Sequence, residues 1–247
     1  MSSADSPIIE SSGSNRPRGI AGRIQSTLIS NTVTEAQWQG HIAGCLQHQF
    51  HAAMVPPSWV KRTAEALRNS RICVASFIDF PLGTMTSAGK GQEAKILVAH
   101  GVQEIDLMPN VGFLLSGMEK EYFEDIKGVV DAANGIPIKI MLELSLLDSQ
   151  QRERAVKLSI DAGVAYLKNA SSGAVGVAQP SDIRFLRSLA PAHIRIKASG
   201  DIKHADQVRA LLEAGADLIG TSAATQIMLE ASGKAASSRS EGAGESY

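Results

Sequence analysis

Leu97-Val98-Ala99-His100-Gly101-Val102-Gln103-Glu104-Ile105-Asp106, Ile160-Asp161-Ala162-Gly163-Val164-Ala165-Tyr166-Leu167-Lys168 and Leu212-Glu213-Ala214-Gly215-Ala216-Asp217-Leu218-Ile219-Gly220 repeat one pattern along the chain. In each, a helical segment ends, a glycine offers the left-handed conformation that stops it, and a short apolar run begins. Helices that pass at once into buried strands, copied over the whole length, require a parallel sheet wrapped by helices. Working outward, strand-like runs fall at 24–28, 52–55, 72–77, 104–108, 138–142, 166–168, 194–197 and 218–220. Helical patterns lie between them, at 35–48, 87–100, 119–133, 149–162, 181–190 and 205–214 among others. Thr34, Asp148, Ser181 and His204 are placed to cap helices. Eight strands close a barrel, so the expected fold class is α/β, a single (β/α)8 TIM barrel.

The 247 residues suit one such barrel, and nothing in the middle has linker composition. Residues 1–18 are rich in Ser, Pro and Asn and lack the apolar core of a signal peptide, while 232–247 are Ser, Gly, Ala and charge. Both are expected to be flexible tails, leaving 19–231 as the barrel domain. With 20% charged residues, 44% hydrophobic residues and a net charge of −1, there is material for a large core and no footprint for nucleic acid or an anionic membrane. No run reaches membrane-spanning length. The expected partner is therefore a small molecule. Cys45 and Cys73 lack metal-ligand or redox spacing, which predicts reduced thiols and a cytoplasmic setting. His41, His48, His51, His100, His193 and His204 show no ligand spacing, and neither a dinucleotide fingerprint nor a P-loop is present. No metal is expected, and nucleotide binding has no support. Trp38, Trp59, Met108, Met118 and Met141 are expected to pack helices or the barrel.

In a barrel of this kind the chemistry sits at the carboxyl ends of the strands. That rule selects Asp106 on the fourth strand, Glu143 just after the fifth, Lys168 on the sixth and Lys197 on the seventh. A buried lysine is costly unless its charge is paired or lost, and adjacent parallel strands lie only about 4.8 Å apart. Two ammonium groups so placed repel, so one should titrate low, and a neutral lysine amine is a carbonyl nucleophile. Asp106 is expected to exchange protons with the other; its simpler role is an ion pair that balances charge. The loops that follow, Asn169-Ala170-Ser171-Ser172-Gly173 and Ala198-Ser199-Gly200-Asp201, have compositions able to close around a ligand.

These residues and their flanks resemble the deoxyribose-phosphate aldolase family of class I aldolases from about residue 24 to 229. Phe80-Pro81-Leu82-Gly83 is similar to the family's loop after the third strand, and Glu104-Ile105-Asp106 with Asn110-Val111-Gly112 to its fourth-strand motif. Glu143, Lys168, Lys197-Ala198-Ser199-Gly200 and Gly220-Thr221-Ser222 follow in the family's order. The resemblance implies a lyase of deoxyribonucleotide catabolism that needs no metal or organic cofactor. It implies Lys168 as the Schiff-base nucleophile, Lys197 as the neighbour that keeps that amine uncharged, and Asp106 as the partner in proton relay. It also implies contacts to aldehyde and sugar-phosphate substrates, here assigned to Gln25, Thr27, Ser171, Gly200, Asp201, Gly220 and Ser222. Some members end in a tyrosine that reaches the site from a tail, and Tyr247 is the last residue here. A homodimer is the expectation from what is common among soluble enzymes.

The chain departs from the family where the ligand would sit. Ile24-Gln25-Ser26-Thr27 stands where Ile-Asp-His-Thr is usual, and the glycine after Lys168 is displaced by one place. Gly200-Asp201 stands where a Gly-Gly pair would bring bare amides to a phosphate. A carboxylate there repels a phosphate by about 1 kcal/mol or more, which raises an unphosphorylated acceptor as an alternative. Two further alternatives are an aldolase or transaldolase with a ketone donor, and a catalytically silent barrel that binds a sugar phosphate.

Overall fold

The eight expected strands form and close on one another in chain order, all parallel. They are β1 (Ile24–Thr27), β2 (Ala52–Met54), β3 (Cys73–Ile78), β4 (Glu104–Leu107), β5 (Ile138–Met141), β6 (Tyr166–Lys168), β7 (Arg195–Ser199) and β8 (Leu218–Thr221). This is the architecture of a (β/α)8 TIM barrel, seen in a computed structural model that describes residues 19–233. The expected tail at 1–18 and the tail beyond 233, including Tyr247, lie outside the described residues. Helices wrap the barrel: α1 (Glu35–His48), α2 (Val60–Leu67), α3 (Ser87–Ala99), α4 (Val111–Leu115), α5 (Glu119–Ala132), α6 (Ser149–Asp161), α7 (Pro180–Leu189), α8 (Ala205–Glu213) and α9 (Ala224–Ala231).

The repeated motif has a common local geometry. Gly101, Gly163 and Gly215 take φ of +90°, +92° and +108°. Beyond them, the N–H groups of Val102, Val164 and Ala216 donate back to the carbonyls of Leu97, Ser159 and Leu211. The same three-residue device therefore ends α3, α6 and α8 and aims the chain into β4, β6 and β8. At the other ends, Thr34 and Asp148 build capping boxes with Gln37 and Gln151, and the Gln207 side chain accepts from the His204 N–H. Ser181 is not a cap: α7 starts one residue earlier, at Pro180 after Gln179. The ring's fixed φ suits the first helical position and sets that start. Three further helices, α2, α4 and α9, are short, at eight, five and eight residues.

The main core fills the shell between strands and helices, while the inside of the barrel is divided. One wall is apolar, built by Ala52, Met54 and Ala75 with Cys73 and Phe77 of β2 and β3. The opposite wall carries buried Glu104, Asp106, Lys139, Lys168 and Lys197 from β4 to β7. Trp38 and Trp59 stack at 5.6 Å, and Met108 and Met141 are buried as expected. Met118 is not: it stands 39% exposed just before α5, where its turn faces outward.

Lys90 of α3 is fully buried and ties the mouth loops together. Its Nζ donates to Asp125 Oδ2 at 2.6 Å and to the carbonyls of Gly83 and Met108 at 3.1 and 3.0 Å. Asp125 also accepts from the Asn110 N–H and the Ser87 hydroxyl. Asp125→Ala would leave the buried Lys90 ammonium with only the longer carboxylate contact to Asp79, at 3.4 Å, and is expected to lower stability by about 2–3 kcal/mol in urea unfolding. A loss under about 1 kcal/mol would show that this cluster does not organise the loops.

Candidate active site

Strand register brings the charged wall together. Asp106 pairs with Lys139 across β4 and β5, and Lys168 pairs with Lys197 across β6 and β7. Lys168 Nζ lies 2.9 Å and Lys197 Nζ 2.6 Å from one oxygen, Asp106 Oδ2. All three side chains are buried, Lys168 being 5% exposed. Burial alone would raise the Asp106 carboxyl, but the ammonium groups of Lys168, Lys197 and Lys139 hold it well below the usual carboxylate range. Lys197 moves the other way: burial, helped by its cationic neighbours, takes it well below the ordinary lysine value against the pull of Asp106. Charged or neutral, the Lys197 amine has an N–H to donate to the carboxylate, so the short contact and the lowered value are compatible.

Above this cluster opens a cavity of about 330 Å³, within the range of small-molecule sites. Asp106, Lys168 and Lys197 reach it from below, Gln25, Thr27 and Met54 line one side, and Ser171, Gly200, Asp201 and Ser222 line the mouth. Gln25 is fully buried, and neither its amide oxygen nor its nitrogen has a hydrogen-bond partner among the described residues. Asp201 lines the mouth beside Lys203, whose Nζ lies 2.6 Å away, so its charge is paired. Gly220 has a second function: a Cβ there would sit 2.7 Å from Lys197 Cε, so its bareness makes room for the lysine stem. Gly200, at φ +118°, lies so close to Gly176 that a Cβ would meet its carbonyl at 2.0 Å. Glu143 lies outside the cavity lining: it is buried in a left-handed turn and accepts from the Ser171 N–H at 2.7 Å. Burial raises its carboxyl, against the Ser171 hydrogen bonds and the charge of Lys168.

No family model matches the chain. Two relatives named deoxyribose-phosphate aldolase do, from Bdellovibrio bacteriovorus at 35% identity and Brevibacillus brevis at 36%, each over 83% of this chain and 93% of its own. The chain belongs to the deoxyribose-phosphate aldolase family. Solved structures agree. A putative deoxyribose-phosphate aldolase from Coccidioides immitis superposes with a TM-score of 0.82 at 28% identity, covering 87% of each chain. That of Aeropyrum pernix, described as a unique tetrameric structure, gives 0.78 at 29%, covering 85% of this chain and 89% of its own.

As a deoxyribose-phosphate aldolase family member the protein is a lyase of the class I aldolase type. Reading for lysines at strand ends found Lys168 and Lys197 but passed over Lys139, which lies mid-strand in Ile138-Lys139-Ile140-Met141. Its signal was the same, a lysine inside an apolar strand, and it is fully buried. Beneath it lies a second polar layer that spacing could not reveal. Lys139 Nζ is 2.8 Å from Glu104 Oε2, and His51 Nε2 is 2.8 Å from Glu104 Oε1. His51, Cys73 and Glu104 thereby form a donor set within 4.8 Å of one another, a grouping that spacing alone had not shown. Lys139 and His51 thus hold the two different oxygens of the Glu104 carboxylate.

Proposed function

We propose that this aldolase catalyses reversible cleavage of 2-deoxy-D-ribose 5-phosphate to acetaldehyde and glyceraldehyde 3-phosphate through an imine on Lys168. The observation that carries the reading is two buried amines on a single carboxylate oxygen at the floor of a small-molecule cavity. One carboxylate balances one ammonium, which leaves the other amine free to act as a nucleophile. In the synthetic direction Lys168 Nζ adds to the acetaldehyde carbonyl, and loss of water gives an iminium that serves as electron sink. A proton leaves the adjacent carbon, the resulting enamine attacks the aldehyde carbon of the acceptor, and the new alkoxide takes a proton. Hydrolysis then releases the product and the lysine, and cleavage is the reverse. Asp106 and Lys197, with water, carry the protons.

Gln25, Thr27 and Ser171 are assigned to substrate hydroxyls, since an unpaired buried amide gains most from a ligand that both donates and accepts. Gly200, Asp201, Gly220 and Ser222 are assigned to the far end of the acceptor. Pairing of Asp201 with Lys203 supports a phosphorylated acceptor, because the carboxylate does not face it bare. The presence of Asp201 on the mouth supports a second reading, an acceptor without phosphate. Steady-state kcat/KM for deoxyribose and its 5-phosphate separates them: a strong preference for the phosphorylated sugar removes the second reading. Asp201 adopts φ +51°, which glycine accepts freely, so Asp201→Gly is expected to fold. Under the second reading it raises kcat/KM for the 5-phosphate by about fivefold or more, and no gain contradicts the repulsion. A cytoplasmic setting and a homodimer accompany this proposal as expectations.

A further inference from the structure

We infer that Lys139, held by Glu104 beneath the reactive amines, is a positioning residue that keeps one of the two upper lysines uncharged. The inference rests on the imine reading above and concerns how its free amine arises. The groups that face Lys139 come from every strand packed against it. They are Glu104 at 2.8 Å and Asp106 at 3.7 Å from β4, the Tyr166 ring at 5.3 Å from β6, the amines of Lys168 and Lys197 around the shared carboxylate, and His51 on the far oxygen of Glu104. Arg195 reaches Tyr166 from the exposed base, where water screens it.

Charge counting in this closed space gives Lys139 its function. Glu104 and Asp106 are two negative charges, and Lys139, Lys168 and Lys197 offer three positive ones. Among these carboxylates and lysines, a balanced set holds two ammonium groups and one free amine. Lys139 spends its charge on Glu104, which leaves Asp106 a single charge for the two lysines above. Asp106 Oδ1, the oxygen nearer Lys139, accepts no hydrogen bond among the described residues, so the two layers are joined through space and not by a direct bond. Burial would lower Lys139, but Glu104 and Asp106 raise it, which agrees with a lysine that stays charged.

Removing that charge leaves two carboxylates for two lysines, so both upper amines hold protons to a higher pH. Restoring the balance by neutralising Glu104 should undo the effect. The test is the pH dependence of borohydride trapping with acetaldehyde, measured on the whole protein and on Lys139→Met, Lys139→Arg, Glu104→Gln and the Lys139→Met/Glu104→Gln double variant. For Lys139→Met the acid limb is expected to move up by about one pH unit or more, slowing trapping at pH 7 about tenfold, with recovery in alkali. Lys139→Arg keeps the parental limb, and the double variant returns to it. Equal slowing at every pH, or a double variant no better than the single one, overturns the inference. If Lys139→Met does not fold, Glu104→Gln alone decides, because its limb should move down; an unmoved limb sinks the idea. A parent protein that acetaldehyde and borohydride do not modify would overturn the imine reading itself, and this inference with it.

Discussion

Lys168→Met is expected to lower aldol cleavage by at least about 10⁴-fold while leaving the protein folded. Methionine keeps an unbranched apolar stem in the space the lysine occupies, and loses only the amine that forms the covalent bond. Lys197 can then take the proton that balances Asp106, so the buried cluster is not left with an uncompensated charge. Kinetics should show the loss in kcat, because the missing step is chemical. Lys197 lies nearer to Asp106 than Lys168 does, but its stem runs against Gly220, deeper than Lys168 and with 1% exposure. Residual activity within tenfold of the parent would mean that Lys197 forms the imine instead.

Asp106→Asn should separate bond formation from proton transfer. The amide keeps the shape of the carboxylate but cannot take a proton, so turnover is expected to fall by about 10²–10⁴-fold. Imine formation should survive, because loss of the negative charge favours neutral amines at both lysines. The signature is therefore a variant that borohydride and acetaldehyde still modify but that hardly cleaves substrate. Loss of both together, with urea unfolding unchanged, would mean that Asp106 holds the amines in place and takes no part in proton transfer. Asp106→Glu, by contrast, keeps the charge but must push it toward one lysine, and should retain more turnover than asparagine.

Much of the architecture was legible because it rests on local rules. The glycine at the end of α3, α6 and α8 has one conformational purpose, and it marks where each strand begins. Lys168, Lys197 and Asp106 were legible for a related reason: a charged side chain in an apolar strand needs a partner, and a barrel puts strand ends in one place. What stayed hidden depends on distance in space. His51, just before β2, meets Glu104 of β4 and Lys139 of β5 only inside the closed barrel, and no spacing along the chain encodes that approach. The pairing of Asp201 with Lys203 was hidden differently, since the sequence places the residues two apart but does not show the left-handed turn that sets them facing one another. Glu143 was assigned to the mouth by its position after β5, yet its turn directs it into the wall, where it holds the backbone of the loop that carries Ser171.

The central claim is that the amine of Lys168 forms a carbon–nitrogen double bond with an aldehyde inside the barrel. The protein should be incubated with acetaldehyde, reduced with borohydride, digested and mapped by mass spectrometry. One ethyl group per chain on Lys168 is the result the account requires. An ethyl group on Lys197 alone, or no adduct at any buried lysine, would contradict it.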